Sequence, residues 1–173
     1  MIQTYPRTTT TERLLLRPFR ESEVEVILAL HGDPETNRFN PNGPMRTLHD
    51  ARERLALWLG DWSQQGVGYW AVERLEAPGV VVGVGGLRHK ELQGQTVLNL
   101  AYRFAPEAWG SGFATEVSRV ALEQAREHIP DIPVVAIINQ LNAPSIRVAE
   151  RLGMRLDRDI DYDGMPSRVY MSR

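Results

Sequence analysis

The 173-residue sequence contains no cysteine, which excludes disulfide bridges, thiolate metal sites and a cysteine nucleophile. It also has no apolar run near the roughly 18 residues that a membrane-spanning helix needs, and its start lacks the apolar segment of a signal peptide. An excess of charge of one sign is absent too. Because 20 Lys and Arg stand against 22 Asp and Glu, the chain offers no broad basic field for a phosphate backbone. We therefore expect a cytoplasmic protein that binds neither nucleic acid nor a membrane.

The composition that is present is typical of one globular domain. Hydrophobic residues make up 42% of the chain and charged residues 24%, which argues against disorder and fibrous folds. A chain of this length buries about 70% of its unfolded surface in a single core. We expect residues 1–173 to form a single domain.

Hydrophobic periodicity predicts the order of the secondary-structure elements as β, α, α, β, β, β, α, β, α, β, β. Ser22 with Glu25 is a candidate capping box for the first helix, and Thr47 is a candidate cap for the second. The single β-α-β crossover centres on Gly110. This order predicts an α/β (α+β) fold with a mixed, mostly antiparallel sheet of about seven strands and helices on both faces.

One glycine-rich segment joins a predicted strand directly to a predicted helix. It consists of Trp109, Gly110, Ser111, Gly112, Phe113, Ala114 and Thr115. A helix start presents unpaired backbone N–H groups and partial positive charge, and glycines let an anion approach them. Thr115 replaces the third glycine of a dinucleotide-binding fingerprint, and the chain has no Gly-Lys-Ser or Gly-Lys-Thr. The segment predicts an anion cradle, although two glycines that merely shape a tight turn are the alternative.

A second segment, from Asn142 to Met154, predicts a short helix that follows the crossover strand. Parallel neighbours place Asn142 and Ser145 at the same sheet edge as Gly110. Taken alone, Asn142 is more typical of a helix N-cap than of a binding residue.

These segments together resemble the GNAT superfamily of acyl-CoA N-acyltransferases, and within it the RimJ/RimL type, the ribosomal-protein N-terminal acetyltransferases. The resemblance spans nearly the whole chain and depends on the order and spacing of several weak motifs. These motifs are Thr11–Pro18, Val82–Leu87, Ala101–Phe104, Pro106–Glu116 and Asn142–Gly153.

The resemblance implies which residues hold acetyl-CoA, the cosubstrate of such enzymes. Backbone N–H groups from Trp109 to Thr115 would bind its pyrophosphate, and main-chain groups of Tyr102 and Phe104 would bind the pantetheine. An N–H near Tyr102 would also stabilise the oxyanion. Asn142 would contact the pantetheine as well.

The resemblance further implies direct attack of an amine on the thioester. Many superfamily members protonate the leaving thiolate with a tyrosine seven residues after the asparagine, where this chain has Ala149. Ser145 is the candidate that replaces it, and a helix first-turn cap is the equally plausible alternative for this serine. Where many members have a glutamate base, this chain has Asn99. The base is therefore left open among Glu35, His89, Glu91 and a relayed water.

The acceptor groove of the family lies between the first two helices and the terminal hairpin. A Pro-, Asn- and Gly-rich connection, His31–Arg46, is a candidate substrate loop there. Four aspartates at period two form either an acidic strand face for a cationic amine or a solvated face: Asp157, Asp159, Asp161 and Asp163. Trp58 and Trp62 are typical of core packing.

The sequence thus predicts an acetyl-CoA-dependent N-acetyltransferase whose acceptor is a protein N-terminal amine or a small-molecule amine. A non-catalytic acyl-CoA-binding or regulatory module is the main alternative, and a nucleotide-binding protein is the other. No metal is expected, because the four histidines are scattered without ligand spacing. The resemblance also implies a homodimer.

Overall fold

A computed structural model describes residues 4–172, which form one eight-stranded sheet and four α-helices. The strands are β1 (Thr9–Thr10), β2 (Leu14–Arg17), β3 (Tyr69–Arg74), β4 (Val81–Leu92), β5 (Gln95–Phe104), β6 (Val134–Asn139), β7 (Arg155–Tyr162) and β8 (Met165–Met171). The helices are α1 (Val24–Gly32), α2 (Leu48–Gln65), α3 (Phe113–His128) and α4 (Ala143–Arg151). Short 3₁₀ turns lie at Glu21–Glu23, Glu35–Asn37 and Pro106–Ala108.

The strand order is β1-β2-β3-β4-β5-β6-β8-β7, and the β5–β6 pair alone is parallel. Helix α3 makes the crossover between these two strands. The predicted mixed, mostly antiparallel sheet is therefore confirmed. Its eighth strand is β1, whose two residues are too few for any hydrophobic alternation to reveal it.

Helices cover both faces of the sheet, as predicted. Along β3, Trp70 and Val72 join the large core cluster beneath α3, whereas Ala71 points to the opposite face and packs with α1 and α2. Trp58 and Trp62 of α2 are buried among these residues, which confirms their predicted place in the core.

Only one of the two predicted helix starts is correct. The hydroxyl of Thr47 accepts the N–H of Asp50 at 3.1 Å, as expected of an N-cap. The Ser22–Glu25 capping box is wrong, because Glu23 instead accepts the N–H of Arg20 at 2.7 Å and α1 begins after it. The orientation of Glu23 is decided by a charged partner from β2, Arg17, which sequence spacing does not show.

Candidate functional site

Strands β5 and β6 separate soon after they meet. Their pairing covers only Leu98 with Val134 and Asn99 with Val135, although β4 stays paired with β5 as far as Phe104. The C-terminal half of β5 therefore has one free edge, which faces a gap between the two strands. The gap lies beside Tyr102 and Phe104, the residues that the family resemblance assigns to the pantetheine.

The backbone of β5 turns N–H groups towards this gap. The N–H of Leu98 donates to the carbonyl of Pro133 on the β6 side at 2.9 Å. Because backbone groups alternate between the two edges of a strand, the N–H groups of Tyr102 and Phe104 point to that same edge, beyond the last paired position at Asn99 and Val135. The gap is consequently lined by hydrogen-bond donors that β6 does not satisfy.

The glycine-rich segment Trp109–Thr115, which we call the cradle, forms an open loop at the start of α3. Gly110 and Gly112 have φ angles of +76° and +80°, a region that glycine adopts without strain. The first bond of the helix runs from the N–H of Glu116 to the carbonyl of Gly112 at 3.1 Å. The N–H groups of Phe113 to Thr115 thus have no helical acceptor and are free for a ligand.

A groove of about 520 Å³ runs along the cradle, and we call it the cradle groove. Every residue that the sequence singles out as a cosubstrate or catalytic residue lines it: Tyr102, Phe104, Trp109, Gly110, Ser111, Gly112, Phe113, Ala114, Thr115, Asn142 and Ser145. The structure therefore brings together side chains and backbone from β5, the cradle and α4.

Two contacts that sequence spacing does not show hold the cradle in place. The indole Nε1 of Trp109 donates to the carbonyl of Phe104 at 2.9 Å and ties the loop to the end of β5. From the other side, Glu116 accepts the N–H and the Nε of Arg13 at 3.0 and 2.8 Å. The Arg13 guanidinium also lies 4.7 Å from the ring centroid of Phe113.

Tyr102 and Ser145 meet across the gap. The hydroxyl of Tyr102 donates to the Oγ of Ser145 at 3.0 Å, while the Ser145 N–H donates to Oδ1 of Asn142 at 3.3 Å. Asn142 is thus the N-cap of α4 and lines the groove as well. The Ser145 side chain does not cap its own helix. Burial raises the pKa of Tyr102, although the bond to Ser145 opposes this, so the phenol stays protonated at neutral pH.

Tyr102, Asn142 and Ser145 also line a second space of about 390 Å³, which we call the inner cavity. It is also lined by Arg54 and Trp58 of α2 and by five residues of the predicted substrate loop: Glu35, Thr36, Arg38, Phe39 and Asn40. The inner cavity thus joins the cradle groove at the Tyr102–Ser145 pair.

Neutral polar groups line the inner cavity where the family's base is expected. Nδ2 of Asn99 donates to the hydroxyl of Tyr69 at 3.0 Å, and burial raises the pKa of Tyr69 to about 12. Burial, with the nearby charges of Arg103 and Arg54, lowers the pKa of His31 to about 3. The imidazole is therefore neutral at pH 7 and too weakly basic to take a proton from an ammonium group.

The candidate bases differ in where they lie. Glu35 lines both the inner cavity and the cradle groove, and its carboxylate pairs with Arg38 at 3.1 Å. His89 and Glu91 lie on β4 and line neither space. Of the side chains named from the sequence, Glu35 alone could contact an acceptor directly.

Of the two alternatives for the four aspartates, the structure agrees with a solvated face, since all four are exposed. A bulge between Leu156 and Arg158 interrupts the alternation after Asp157, and Asp163 lies in the hairpin turn with φ +51°. None of the four aspartates lines the cradle groove or the inner cavity. The hairpin contributes Tyr162 to the inner cavity instead.

Metal and membrane sites were also sought among residues 4–172. No three His, Asp or Glu side chains in that range come close enough together to hold a metal ion. No helix in the same range is both long and apolar enough to cross a bilayer.

Comparison with known families places the chain. The model of the acetyltransferase (GNAT) domain matches residues 13–155, and the chain therefore belongs to the GNAT acetyltransferase family. This family consists of acyltransferase enzymes that use acetyl-CoA, so a non-catalytic acyl-CoA-binding module is not supported. The matched range includes the cradle, the gap and α4.

Individual proteins agree with this placement. YkkB, an uncharacterized protein of Bacillus subtilis (strain 168), is 29% identical over 166 residues, which cover 92% of each chain. An acetyltransferase from Agrobacterium tumefaciens str. C58 superimposes with a TM-score of 0.82 at 24% identity, covering 100% of this chain and 97% of that one. The structure of RimL, a ribosomal L7/L12 α-N-protein acetyltransferase in complex with coenzyme A, gives a TM-score of 0.73 at 17% identity, with 98% and 97% covered. These structural likenesses show the fold.

Proposed function

We propose that this protein is an acetyl-CoA-dependent N-acetyltransferase of the RimJ/RimL type, formed by residues 1–173 as one domain. Its acceptor is a primary amine, either a protein N-terminal α-amine or a small-molecule amine. The observation that carries the proposal is the continuity of the cradle groove with the inner cavity at Tyr102 and Ser145. One space suits the cosubstrate and the adjoining space suits the acceptor.

The residues of the cradle groove fit acetyl-CoA, which supplies an acetyl group activated as a thioester. The free N–H groups at the start of α3 suit the pyrophosphate, because they are unpaired donors at the positive end of a helix. A Cβ placed on Gly110 would meet nothing within 4 Å, so the approach to these donors is open. The unpaired N–H groups of Tyr102 and Phe104 suit the pantetheine, and Asn142 borders the same path.

The reaction forms one bond and breaks another. The neutral amine nitrogen attacks the thioester carbon, a C–N bond forms and the C–S bond breaks. The nitrogen loses one proton to water and the thiolate takes up one proton, so the overall reaction releases none. The N–H of Tyr102 at the free edge of β5 is the donor that stabilises the oxyanion, an interaction often worth about 3 to 4 kcal/mol in the transition state.

The proton for the thiolate comes from the Tyr102–Ser145 pair. The Ser145 hydroxyl gives its proton to sulfur and receives one from the Tyr102 phenol, with which it shares a 3.0 Å hydrogen bond, and the phenolate then regains a proton from water. Ala149, at the position where many relatives have tyrosine, is buried and carries no proton to give. The phenol of Tyr102 thus supplies from β5 what the family's tyrosine supplies from α4.

The inner cavity favours an amine of low pKa. At pH 7 about 10% of α-amino groups are neutral, against about 0.04% of lysine ε-amines, from reference pKa values near 7.8 and 10.4. No strong base among the residues named above contacts the cavity, since Asn99 is an amide and His31 is too weakly basic. An acceptor that is already partly neutral needs less help from the protein.

The proposal is tested by binding and by thiol release. Acetyl-CoA at about 100 times its Kd adds about 2.7 kcal/mol and raises the melting temperature by about 5 to 10 °C. ATP and NAD serve as matched ligands and are expected to give no shift. With an acceptor, Tyr102→Phe and Ser145→Ala are each expected to lower kcat at least about tenfold with little change in the KM for acetyl-CoA. A shift with a nucleotide but not with acetyl-CoA contradicts the proposal.

A further inference from the structure

Arg103 is a largely buried cation that has no carboxylate partner. It follows Tyr102 on β5, and its Nη1 donates to Oδ1 of Asn37 at 2.8 Å. Within residues 4–172 no Asp or Glu oxygen lies within 4.0 Å of its guanidinium. Burial, together with the positive charge of Arg54, lowers the pKa of Arg103 to about 10.

The loop that contacts Arg103 is built to present a neutral oxygen. Nδ2 of Asn37 donates to the carbonyls of His31 and Asp33 at 2.7 Å each, and Nδ2 of Asn40 donates to Oδ1 of Asn37 at 2.8 Å. These bonds fix which way the Asn37 amide faces. The loop therefore orients the guanidinium without neutralising it, and a buried charge left in this state favours a bound anion.

Arg103 and Arg54 face the acceptor side of the site. Both line the inner cavity and also a third space of about 680 Å³, the outer cavity, which extends from it between the loop, α2 and Tyr162. No residue of the cradle lines the outer cavity. Arg103 also borders the cradle groove, whereas Arg54 lines only the two cavities.

None of the carboxylates that line the inner or the outer cavity forms an ion pair with Arg103 or Arg54. Glu35, the one acidic residue of the inner cavity, pairs with Arg38 at 3.1 Å. Asp50 and Glu53 line the outer cavity, where Glu53 pairs with His49 at 3.2 Å, and neither is within ion-pair distance of Arg103. The inner cavity keeps a net positive charge.

We infer that the acceptor is a small amine that carries a carboxylate, and that Arg103 binds this carboxylate with Arg54 beside it. The inference rests on the proposed N-acetyltransferase function. Arg103 directly follows Tyr102 on β5 and both residues line the inner cavity, so a carboxylate at Arg103 and an amine at the thioester share one small space. Amino acids and closely related amino carboxylates carry both groups close together, whereas polyamines lack the anion. Pairing of the carboxylate with Arg103 lowers the pKa of the neighbouring amine, because the carboxylate charge that favours the ammonium form is then compensated.

Matched acids and amides test this inference directly. Thiol release is measured with the common amino acids and with their primary amides, which have the same side chains and no carboxylate. The amine of an amino-acid amide is less basic than that of the acid, so a larger fraction of it is neutral at pH 7. Without an anion site, the amide would therefore be the better acceptor. We expect at least one acid to be acetylated with a kcat/KM at least about tenfold above that of its amide.

Arg103→Gln removes the charge and keeps a side chain that can hydrogen-bond to Asn37. We expect this variant to raise the KM for the acid about 10- to 100-fold, with the KM for acetyl-CoA within about twofold of wild type. Arg103→Lys recovers part of the loss. Because the charge has no internal partner, the melting temperature of Arg103→Gln in the absence of ligands is expected to be unchanged or higher.

The control variant is Arg52→Gln, which removes an exposed arginine of α2 that lines none of the three spaces. We expect its kinetics to match the wild type. A separate calorimetric titration of the amino acids, with and without coenzyme A, measures binding without turnover. It decides the anion site even if acetyl-CoA proves not to be the cosubstrate.

Four results overturn the inference. These are amides used as well as acids, acid binding that Arg103→Gln leaves unchanged, a loss confined to the KM for acetyl-CoA, and no amino acid bound in the titration. Equal use of peptides with amidated C-termini likewise points to a protein N-terminus instead. If the protein does not bind acetyl-CoA but still binds amino acids in a way that depends on Arg103, the proposed function is contradicted and the anion site at Arg103 is supported.

Discussion

Gly112 has two properties that the cradle needs at once. Its φ of +80° favours glycine, and it stands directly before the free N–H groups of α3. Gly112→Asp places a carboxylate where the pyrophosphate is expected, so two negative groups would compete for the same position and repel each other. We expect the affinity for acetyl-CoA, measured by calorimetry, to fall at least about 100-fold, because like-charge juxtaposition costs several kcal/mol.

The matched control for backbone strain is Gly164→Asp. Gly164 has a similar φ of +88° in the β7–β8 turn, and a Cβ there meets nothing within 4 Å. We expect this variant to bind acetyl-CoA like the wild type. A folded Gly112→Asp protein that retains its affinity contradicts the cradle assignment.

Single residues were predicted well where their role is local and poorly where a distant partner decides it. The cap at Thr47 and the glycines of the cradle follow from neighbours in sequence. The Tyr102 hydroxyl was missed, since sequence reasoning considered only its main chain and its partner is 43 residues away. A tyrosine on β5 in a chain that lacks one at Ala149 was the available signal.

At the scale of elements, β4 needs glycine where β5 crosses close to it. A Cβ on Gly83 would lie 2.4 Å from the Phe104 ring and 2.8 Å from the carbonyl of Arg103, which is backbone and has little freedom to move. We expect Gly83→Ala to lower the free energy of unfolding by about 1 to 3 kcal/mol in urea titrations, as overpacking does. The end of β5 carries the site, so acetyl-CoA affinity is expected to fall too.

Gly60→Ala is the opposite case and serves as the control. Gly60 lies within α2, and a Cβ there meets nothing within 4 Å. Alanine in a helix interior is more favourable than glycine by about 0.5 to 1 kcal/mol. If Gly83→Ala and Gly60→Ala change the free energy of unfolding equally, the close approach of β4 and β5 at Gly83 is contradicted.

Element order and type could be predicted because both depend on hydrophobic period. The register of β7 could not, because the bulge after Leu156 depends on how the strand packs on β8. The start of α1 was misplaced for a similar reason, since Arg17 of β2 competes for Glu23. In both β7 and α1, contacts with residues distant in sequence determined the structure in place of the pattern of neighbouring residues.

At the scale of the whole molecule, a buried ion cluster joins the start of α1 to the sheet. Arg17 donates to Glu23 through Nη1 and Nη2 at 2.8 Å each and to Glu73 through Nε at 2.6 Å. Burial alone would raise the pKa of both glutamates. For Glu23 the bonds from Arg17 and Arg20 outweigh burial, and for Glu73 the bonds from Gly79 and Arg17 do so, and both pKa values are lowered.

The lowered pKa values set the direction of the pH dependence. A carboxylate with a folded-state pKa below its unfolded value stabilises the fold above the unfolded pKa, about 4.3 for Glu. That stability is lost as the pH falls through the folded-state values. We expect the melting temperature to decline below about pH 4.5.

Glu73→Gln identifies the source of this decline. The variant cannot titrate at this position, so its melting temperature is expected to be lower at pH 7 and to change less between pH 7 and pH 3. An unchanged pH slope relative to wild type assigns the acid sensitivity to other carboxylates. Melting curves of both proteins across this range, monitored by circular dichroism, provide the comparison.

The sequence by itself determined the element order, the family and the cradle. Each is encoded in contiguous residues: hydrophobic period in the helices and strands, and glycines before a helix start at Gly110 and Gly112. Short-range physics suffices for these features, because the backbone conformation of a turn or helix start depends mainly on its own residues.

Only the tertiary structure decided what the site can hold. The gap opens because β5 and β6 pair over two positions and then diverge, and the Tyr102–Ser145 bond spans that gap. The unpaired charge of Arg103 is likewise invisible in the sequence, where acidic residues are plentiful. A charge is compensated by whatever lies within a few ångströms, and for Arg103 the fold brings the amide of Asn37 there instead of a carboxylate.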